Sequence, residues 1–131
     1  MTITNDRRPP VAVGHVQLPV KNISNATDFL KKIGLRPVFE NKNIAVLELR
    51  GGTHLILEKK RIQDRKGKQA PVDFMVDNLK EARDKYAKIG LKPTPINKGK
   101  VHSSFYIPGP SGWVFKITSV SYTHLTLPTK A

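Results

Sequence analysis

Histidines are the side chains best suited to chemistry in this sequence, because the chain contains no cysteine. Without a thiol there is no disulfide framework, no thiolate zinc site and no cysteine nucleophile. Imidazole nitrogens ligate iron or zinc, or they hydrogen-bond to the oxygens of a ligand. His15, His54 and His102 form the only histidine trio that we consider for a metal, since His124 lies in a terminal stretch that we exclude below.

Positive charge is the strongest feature of the composition, with a formal net charge of +13 over 131 residues. Such an excess indicates nucleic acid, an acidic membrane surface or an anionic small ligand as the partner. The densest run, residues 59–68, holds six cations and one anion but no aromatic side chain on which a base could stack. We interpret this run as a solvated linker, with a polyanion contact as the alternative.

The length and hydropathy of the chain exclude a membrane protein at this stage. A chain of 131 residues forms one domain or two small fused units. Its apolar runs are far shorter than the roughly 20 residues that a membrane span needs. Residues 1–10 lack the apolar centre of a secretory signal. We therefore expect a cytoplasmic, soluble protein that does not engage membranes.

The elements that must position these side chains are revealed by an internal repeat. Shifting the sequence by 56 residues gives nine identities over the eighteen positions 20–37. The identities include the helix-ending segment Lys32-Ile33-Gly34-Leu35, which matches Lys88-Ile89-Gly90-Leu91. A long period seen only twice predicts a duplicated module pair, because a solenoid needs about three repeats to bury its core.

Each copy predicts one strand, one helix and three further strands. The valine-rich alternation of residues 13–20 predicts a strand with two different faces, and an apolar stripe over 26–33 predicts a helix ended by Gly34. The first copy continues with strands at 36–40, 44–49 and 53–58. The second copy has a strand at 72–76, a helix at about 79–89, and strands at 92–96, 102–107 and 113–118. A longer loop before the last strand raises the shift from 56 to 60, so that Gly52 aligns with Gly112.

Residues 120–131 resemble a translated sequencing adaptor, and the alternative is a native terminal strand. We exclude them, including His124, from the interpretation of fold and function.

Three features of the chain resemble the glyoxalase, bleomycin-resistance and ring-cleaving dioxygenase superfamily, whose members are also called vicinal oxygen chelate proteins. They are the two modules, the first strand Gly14-His15-Val16-Gln17-Leu18-Pro19-Val20, and the Pro108-Gly109-Pro110 loop before the last strand. The resemblance covers residues 11–118. It implies an α+β fold in which two tandem βαβββ modules form a single cup-shaped domain with mixed and antiparallel sheets. Module 1 spans about 11–59, the linker 60–69 and module 2 about 70–118. Many members of the superfamily are dimers, and we expect a homodimer.

The resemblance also implies where a metal would bind. Superfamily enzymes hold one divalent ion with a residue of the first strand and a Glu of the last strand in each module. In this chain the four positions are occupied by His15, Pro71, Ile56 and Lys116. Only one of them is a metal ligand, and the Lys116 ammonium would repel a divalent cation. We therefore predict no metal at the standard site and no cofactor.

Strand alternation adds neighbours to this set, if Ile56 and Lys116 face the cleft between the modules. The predicted ligand-binding residues are His15, Gln17, His54, Glu58, Asp73 and Lys116, with His102 on the neighbouring strand in an undetermined direction. Plainer interpretations stay open: His54 and Glu58 as ordinary outward-facing polar residues, and Lys116 as an ion-pair partner of Glu58 or Asp73.

Three functions compete at this stage. The preferred one is a metal-free small-molecule-binding protein, or a metal-free catalyst, with an anionic or oxygen-rich ligand in the cleft. The second is a metal-dependent glyoxalase-type lyase or ring-cleaving dioxygenase, with one iron or zinc on a rearranged histidine site. In that case His54 and Glu58, about 13 Å apart along a strand, cannot both reach the ion. The third is a polyanion-binding accessory protein, although we do not expect nucleic acid. A bleomycin-resistance role is disfavoured, because this chain would repel a cationic drug.

Overall fold

The computed structural model describes residues 9–62 and 66–120, which form two similar α+β modules. The first module contains β1 (His15–Val20), α1 (Ile23–Ile33), β2 (Arg36–Glu40), β3 (Ile44–Glu48) and β4 (His54–Lys59). The second contains β5 (Lys68–Val76), α2 (Leu79–Lys88), β6 (Asn97–Lys98), β7 (Ser103–Pro108) and β8 (Trp113–Ser119). The predicted βαβββ order is therefore confirmed in both modules.

The two sheets have the same topology. Sheet A has the strand order β1-β4-β3-β2, and sheet B has the order β5-β8-β7-β6. In each sheet the first and last strands of the module pair in parallel, while the other neighbours are antiparallel. The sheets are thus mixed and the fold is α+β, as predicted.

The helices begin at equivalent residues and end within one residue of each other, because the repeat carries the same capping asparagine and terminal glycine. The side chains of Asn22 and Asn78 accept hydrogen bonds from the backbone N–H three residues later, which caps α1 and α2. Past the ends of the helices, Gly34 has φ 120° and Gly90 has φ 87°, values that glycine adopts without a Cβ penalty. The capping begins α1 at Ile23, three residues before the predicted start.

The strand predicted at 92–96 is wrong. This segment is irregular, and only Asn97–Lys98 forms a short strand after it. Pro93 and Pro95 have no N–H to donate to a ladder, so the segment cannot pair continuously with β7. Thr94 alone pairs there, since its N–H donates to the carbonyl of Tyr106 and its hydroxyl accepts from the N–H of Tyr106, both at 2.9 Å.

The modules share one hydrophobic core. The indole Nε1 of Trp113 donates to the carbonyl of Pro19 at 2.9 Å, and the hydroxyl of Tyr86 donates to the carbonyl of Ile33 at 2.9 Å. The ring of Phe115 stacks between Phe29 of module 1 and Phe74 of module 2, with centroid distances of 5.5 Å to each. Side chains from both modules therefore hold the two sheets in a fixed relation.

The segment between the modules is shorter than predicted, because β5 begins at Lys68 within the range 60–69 assigned to the linker. Residues 63–65 of that linker, and residues 121–131 of the excluded tail, lie outside the described part of the chain. Among the described residues, neither helix is long and apolar enough to cross a membrane.

Candidate functional site

The strands expose a second face on the side of each sheet opposite the helices, which we call the open face. In β4, Leu55 and Leu57 are fully buried, whereas His54, Ile56 and Glu58 between them are half-buried. Because successive side chains in a strand point to opposite sides, these three share the open face of sheet A. The same alternation in β8 puts Lys116 on the open face of sheet B, between the buried Phe115 and Ile117.

A row of polar residues crosses the open face of sheet A. His15 of β1 is the register partner of His54 of β4, which in turn pairs with Glu48 of β3, and Glu48 pairs with Arg36 of β2. The rings of His15 and His54 have centroids 6.1 Å apart. Four strands thus contribute two imidazoles, one carboxylate and one guanidinium to a continuous row.

Charge is partly neutralised at one end of this row. Both Nε and Nη2 of Arg36 donate to Oε1 of Glu48, with Nε at 3.1 Å. The hydrogen bond from Arg36 holds the pKa of Glu48 below its ordinary value, and the charges of Arg36 and His54 add to that effect. Glu48 is therefore a carboxylate at neutral pH, which places an anion beside the His54 end of the histidine pair.

The neighbouring pairs of residues, two positions further along the strands, show that the two modules have the same strand register. Gln17 pairs with Ile56 in sheet A, and Asp73 pairs with Lys116 in sheet B. Gln17 and Asp73 are 56 residues apart, and Ile56 and Lys116 are 60 apart, which are the two shifts of the sequence repeat. Ile56 and Lys116 thus occupy the same position in their respective modules.

Lys116 brings a positive charge to the open face of sheet B. Its register neighbours are Asp73 of β5 and Tyr106 of β7. In the part of the chain that the structure describes, Lys116 takes part in no ion pair within 4 Å, and the side chain of Asp73 accepts from Nε2 of Gln69 at 3.4 Å. The ammonium group is therefore not neutralised by a direct contact with either acid that the sequence offered as its partner.

Two predicted residues lie away from these rows. Glu58 pairs in register with Pro19 and lies 3.5 Å from Nζ of Lys60, at the far end of β4 from His54. Nδ1 of His102 is 3.1 Å from the carbonyl of Ser119, at the end of β8. The structure thus brings together His15 with His54, Gln17 with Ile56, and Asp73 with Lys116.

The residues at the four positions that the resemblance assigns to a metal do not fit a divalent ion. Pro71 and Ile56 have no donor atom in their side chains, and Lys116 carries an ammonium group. Among residues 9–62 and 66–120, no group of three histidine and acidic side chains is close enough to hold a metal.

Arg36 and Glu48 were missed by the sequence reasoning, although a signal was present. Leu49 and Thr53 flank the turn between β3 and β4, and the N–H of Leu49 donates to the carbonyl of Thr53 at 2.8 Å. The sequence predicted strands at 44–49 and 53–58, so pairing Leu49 with Thr53 across the turn already places Glu48 opposite His54, one residue further from the turn on each strand. The position of Arg36 was harder to derive, because β2 has a register irregularity between Pro37 and Phe39.

Three solved structures illustrate the similarity in fold. A lactoylglutathione lyase from Agrobacterium tumefaciens has a TM-score of 0.70 and 16% identity, over 85% of this chain and 95% of that chain. A possible glyoxalase from Bacillus cereus has a TM-score of 0.67 and 23% identity, over 82% and 97%. A bleomycin-binding protein from Streptomyces verticillus, in complex with copper(II)-bleomycin, has a TM-score of 0.68 and 14% identity, over 87% and 100%. These similarities confirm the predicted fold.

The sequence matches no protein-family model and no curated protein.

Proposed function

We propose that this protein, whose fold is that of the glyoxalase, bleomycin-resistance and dioxygenase proteins, binds a small anionic or oxygen-rich ligand without a divalent metal at the standard position. The observation that carries the proposal is the half-buried Lys116 at the position where the superfamily's enzymes place an acid. Its register equivalent in the other module, Ile56, cannot replace that acid. A cytoplasmic location is part of the proposal and is supported by the cysteine-free composition.

The groups on the two open faces suit such a ligand. The Lys116 ammonium on sheet B and the His15 and His54 imidazoles on sheet A each provide donors for carboxylate or phenolate oxygens, and charge-assisted hydrogen bonds are the strongest of these. The Gln17 amide can donate and accept. Asp73 would accept a hydrogen bond from a ligand hydroxyl, which favours a ligand with both anionic and hydroxyl oxygens.

Salicylate, which carries a carboxylate beside a phenolic oxygen, is a suitable probe for this proposal. We expect wild-type protein to bind salicylate in the presence of EDTA, and Lys116→Met to weaken binding about tenfold, the effect of losing one charge-assisted contact of about 1.4 kcal/mol. Lys98→Met, on the exposed β6 of the same sheet, is the matched control and should bind like wild type. Equal binding by both variants would contradict the proposal, and so would binding that EDTA abolishes.

A second candidate is supported by the 6.1 Å separation of the His15 and His54 rings. Two imidazoles at that spacing could share one iron or zinc ion. Among the described residues no third histidine or acidic side chain is close enough to complete the site, so water or substrate would fill the other positions. The protein would then be a glyoxalase-type lyase or a ring-cleaving dioxygenase. Metal analysis of protein purified without a histidine tag tests it: stoichiometric iron or zinc that is lost in His15→Ala would favour this candidate over the first.

A homodimer is the assembly that we propose for this protein. Its support is the apolar part of the open face of sheet A, where Phe39 is 53% exposed beside the half-buried Val46 and Ile56. A second copy that covered this face would bury Phe39 and enclose the ligand-binding rows. Light scattering should give twice the chain mass, and Phe39→Ser should shift the protein towards monomer.

A further inference from the structure

Five cations from three separate segments converge at one end of sheet A, and we call this surface the basic cleft. It comprises Lys21 after β1, Lys42 in the turn between β2 and β3, and Lys59, Lys60 and Arg61 at and after the end of β4. β1 and β4 are parallel and end together, and antiparallel β3 begins beside the end of β4. Two adjoining cavities of about 460 and 590 Å³ lie here, and both are lined by Lys21 and Lys59.

The backbone of the basic cleft is held in place by hydrogen bonds between these segments. The N–H of Lys59 donates to the carbonyl of Asn43 at 2.9 Å, and the N–H of Lys60 donates to the carbonyl of Val20 at 3.0 Å. In the turn, Oδ1 of Asn41 accepts from the N–H groups of Asn43 and Ile44, each at 2.9 Å. The backbone that carries Lys59 and Lys60 and the turn that carries Lys42 are thus held in fixed positions, which lowers the entropic cost of binding a ligand there.

Positive charge in the basic cleft exceeds the negative charge around it. Glu40 lines the first cavity, and Glu58 lies 3.5 Å from Nζ of Lys60. Among the described residues, Lys42, Lys59, Lys60 and Arg61 outnumber these two acids. Like charges gathered from separate segments repel one another, and an anion bound among them relieves that repulsion.

The shape of the basic cleft favours a compact anion over a long one. The cavities have the volume of a small-molecule site, and among the described residues no aromatic side chain lines either of them. Nucleic-acid sites for single strands combine a long groove with aromatic stacking platforms. We infer that the basic cleft binds a compact anion that carries two or more phosphate groups.

Calorimetry with inorganic triphosphate tests this inference at low salt. We expect the double variant Lys59→Gln/Arg61→Gln to bind triphosphate at least about tenfold more weakly than wild type, since two charged contacts are lost. Lys85→Gln/Lys88→Gln on α2 loses the same charge away from the cleft and should change the affinity by less than about twofold. Lys42→Gln, in an exposed turn, gives a second reading if the double variant does not fold.

Further titrations, with inorganic phosphate and with an oligonucleotide, identify the class of ligand. Inorganic phosphate should bind more weakly than triphosphate. Equal losses of triphosphate affinity in the cleft and control variants would overturn the inference, because they would indicate a general charge effect. Absence of triphosphate binding by wild-type protein would also overturn it. An oligonucleotide that binds more tightly than triphosphate, with the same dependence on Lys59 and Arg61, would overturn the compact-anion class. The cations of the basic cleft are distinct from Lys116 and the histidine pair, so failure of either proposal leaves the other standing.

Discussion

Replacing Tyr86 by phenylalanine removes one hydrogen bond that joins the two modules. The hydroxyl of Tyr86 in α2 donates at 2.9 Å to the carbonyl of Ile33, the last residue of α1. Tyr86 is only 4% exposed, so water cannot readily take its place. The ring itself is retained in the variant, including its edge contact with Phe105 at a centroid distance of 6.0 Å.

The expected loss follows from what is left unpaired. The buried Ile33 carbonyl loses its side-chain partner while the packing of the ring is unchanged, so the free energy of unfolding should fall by about 1–3 kcal/mol. For a domain of this size, a loss of 1 kcal/mol lowers the melting temperature by roughly 3–6 °C.

The pH dependence provides an independent check. Burial raises the pKa of Tyr86 above its ordinary 10.0, so the unfolded chain ionises this group first as the pH rises. The contribution of Tyr86 to the free energy of unfolding is therefore fully present below pH 10 and is lost as the pH rises above that value. The difference in unfolding free energy between wild type and Tyr86→Phe should shrink as the pH rises beyond 10.

Urea unfolding at neutral pH and above pH 10 measures both effects. Tyr106→Phe is the matched control, because Tyr106 is half-buried and its hydroxyl makes no hydrogen bond within the described residues. Its cost should stay below about 0.5 kcal/mol. A Tyr86→Phe variant as stable as the control, or a difference from wild type that does not change with pH, would refute this reasoning.

Two further predictions concern packing and charge. Gly109→Ala would bring a Cβ within 2.5 Å of Cε2 of Phe115, a fully buried ring stacked on both sides, and should cost about 1–3 kcal/mol in urea unfolding. Gly14→Ala, whose Cβ would meet nothing within 4 Å, should be nearly neutral, and equal losses in the two variants would contradict the packing argument. Arg36→Met should raise the pKa of Glu48 in a carboxyl NMR titration, because the donor that lowers it is gone; an unchanged pKa would show that Arg36 is not the cause. In wild type, the stability from this pair should be present above the ordinary pKa of Glu and lost as the pH falls through the lowered pKa.

Much of the fold could be predicted because its signals are local and occur twice. Counting from the aligned glycines Gly52 and Gly112 placed Ile56 and Lys116 at equivalent positions of β4 and β8, and strand alternation then assigned the residues that share their faces. The paired asparagine caps and the glycines after each helix repeat at a separation of 56 residues, so each copy supported the assignment of the other.

The failures arose where the repeat is imperfect. We predicted a strand at 92–96 because the equivalent segment of the first copy is a strand. The second copy has two prolines there, and their missing N–H groups prevent continuous strand pairing. We predicted that His102 begins a strand at 102–107. In the structure β7 begins one residue later, and Nδ1 of His102 lies 3.1 Å from the carbonyl of Ser119 at the end of β8.

The sequence by itself determined the two-module architecture and the order of elements, because periodicity, capping and residue type are properties of the chain read locally. Only the tertiary structure decided which side chains meet. The juxtaposition of Glu48 with Arg36, the Tyr86 bond to Ile33 and the gathering of the basic cleft all depend on strand register and module packing. A shift of one residue in a strand would turn every side chain to the other face, and this relation between strands is set by the shared core rather than by any single segment.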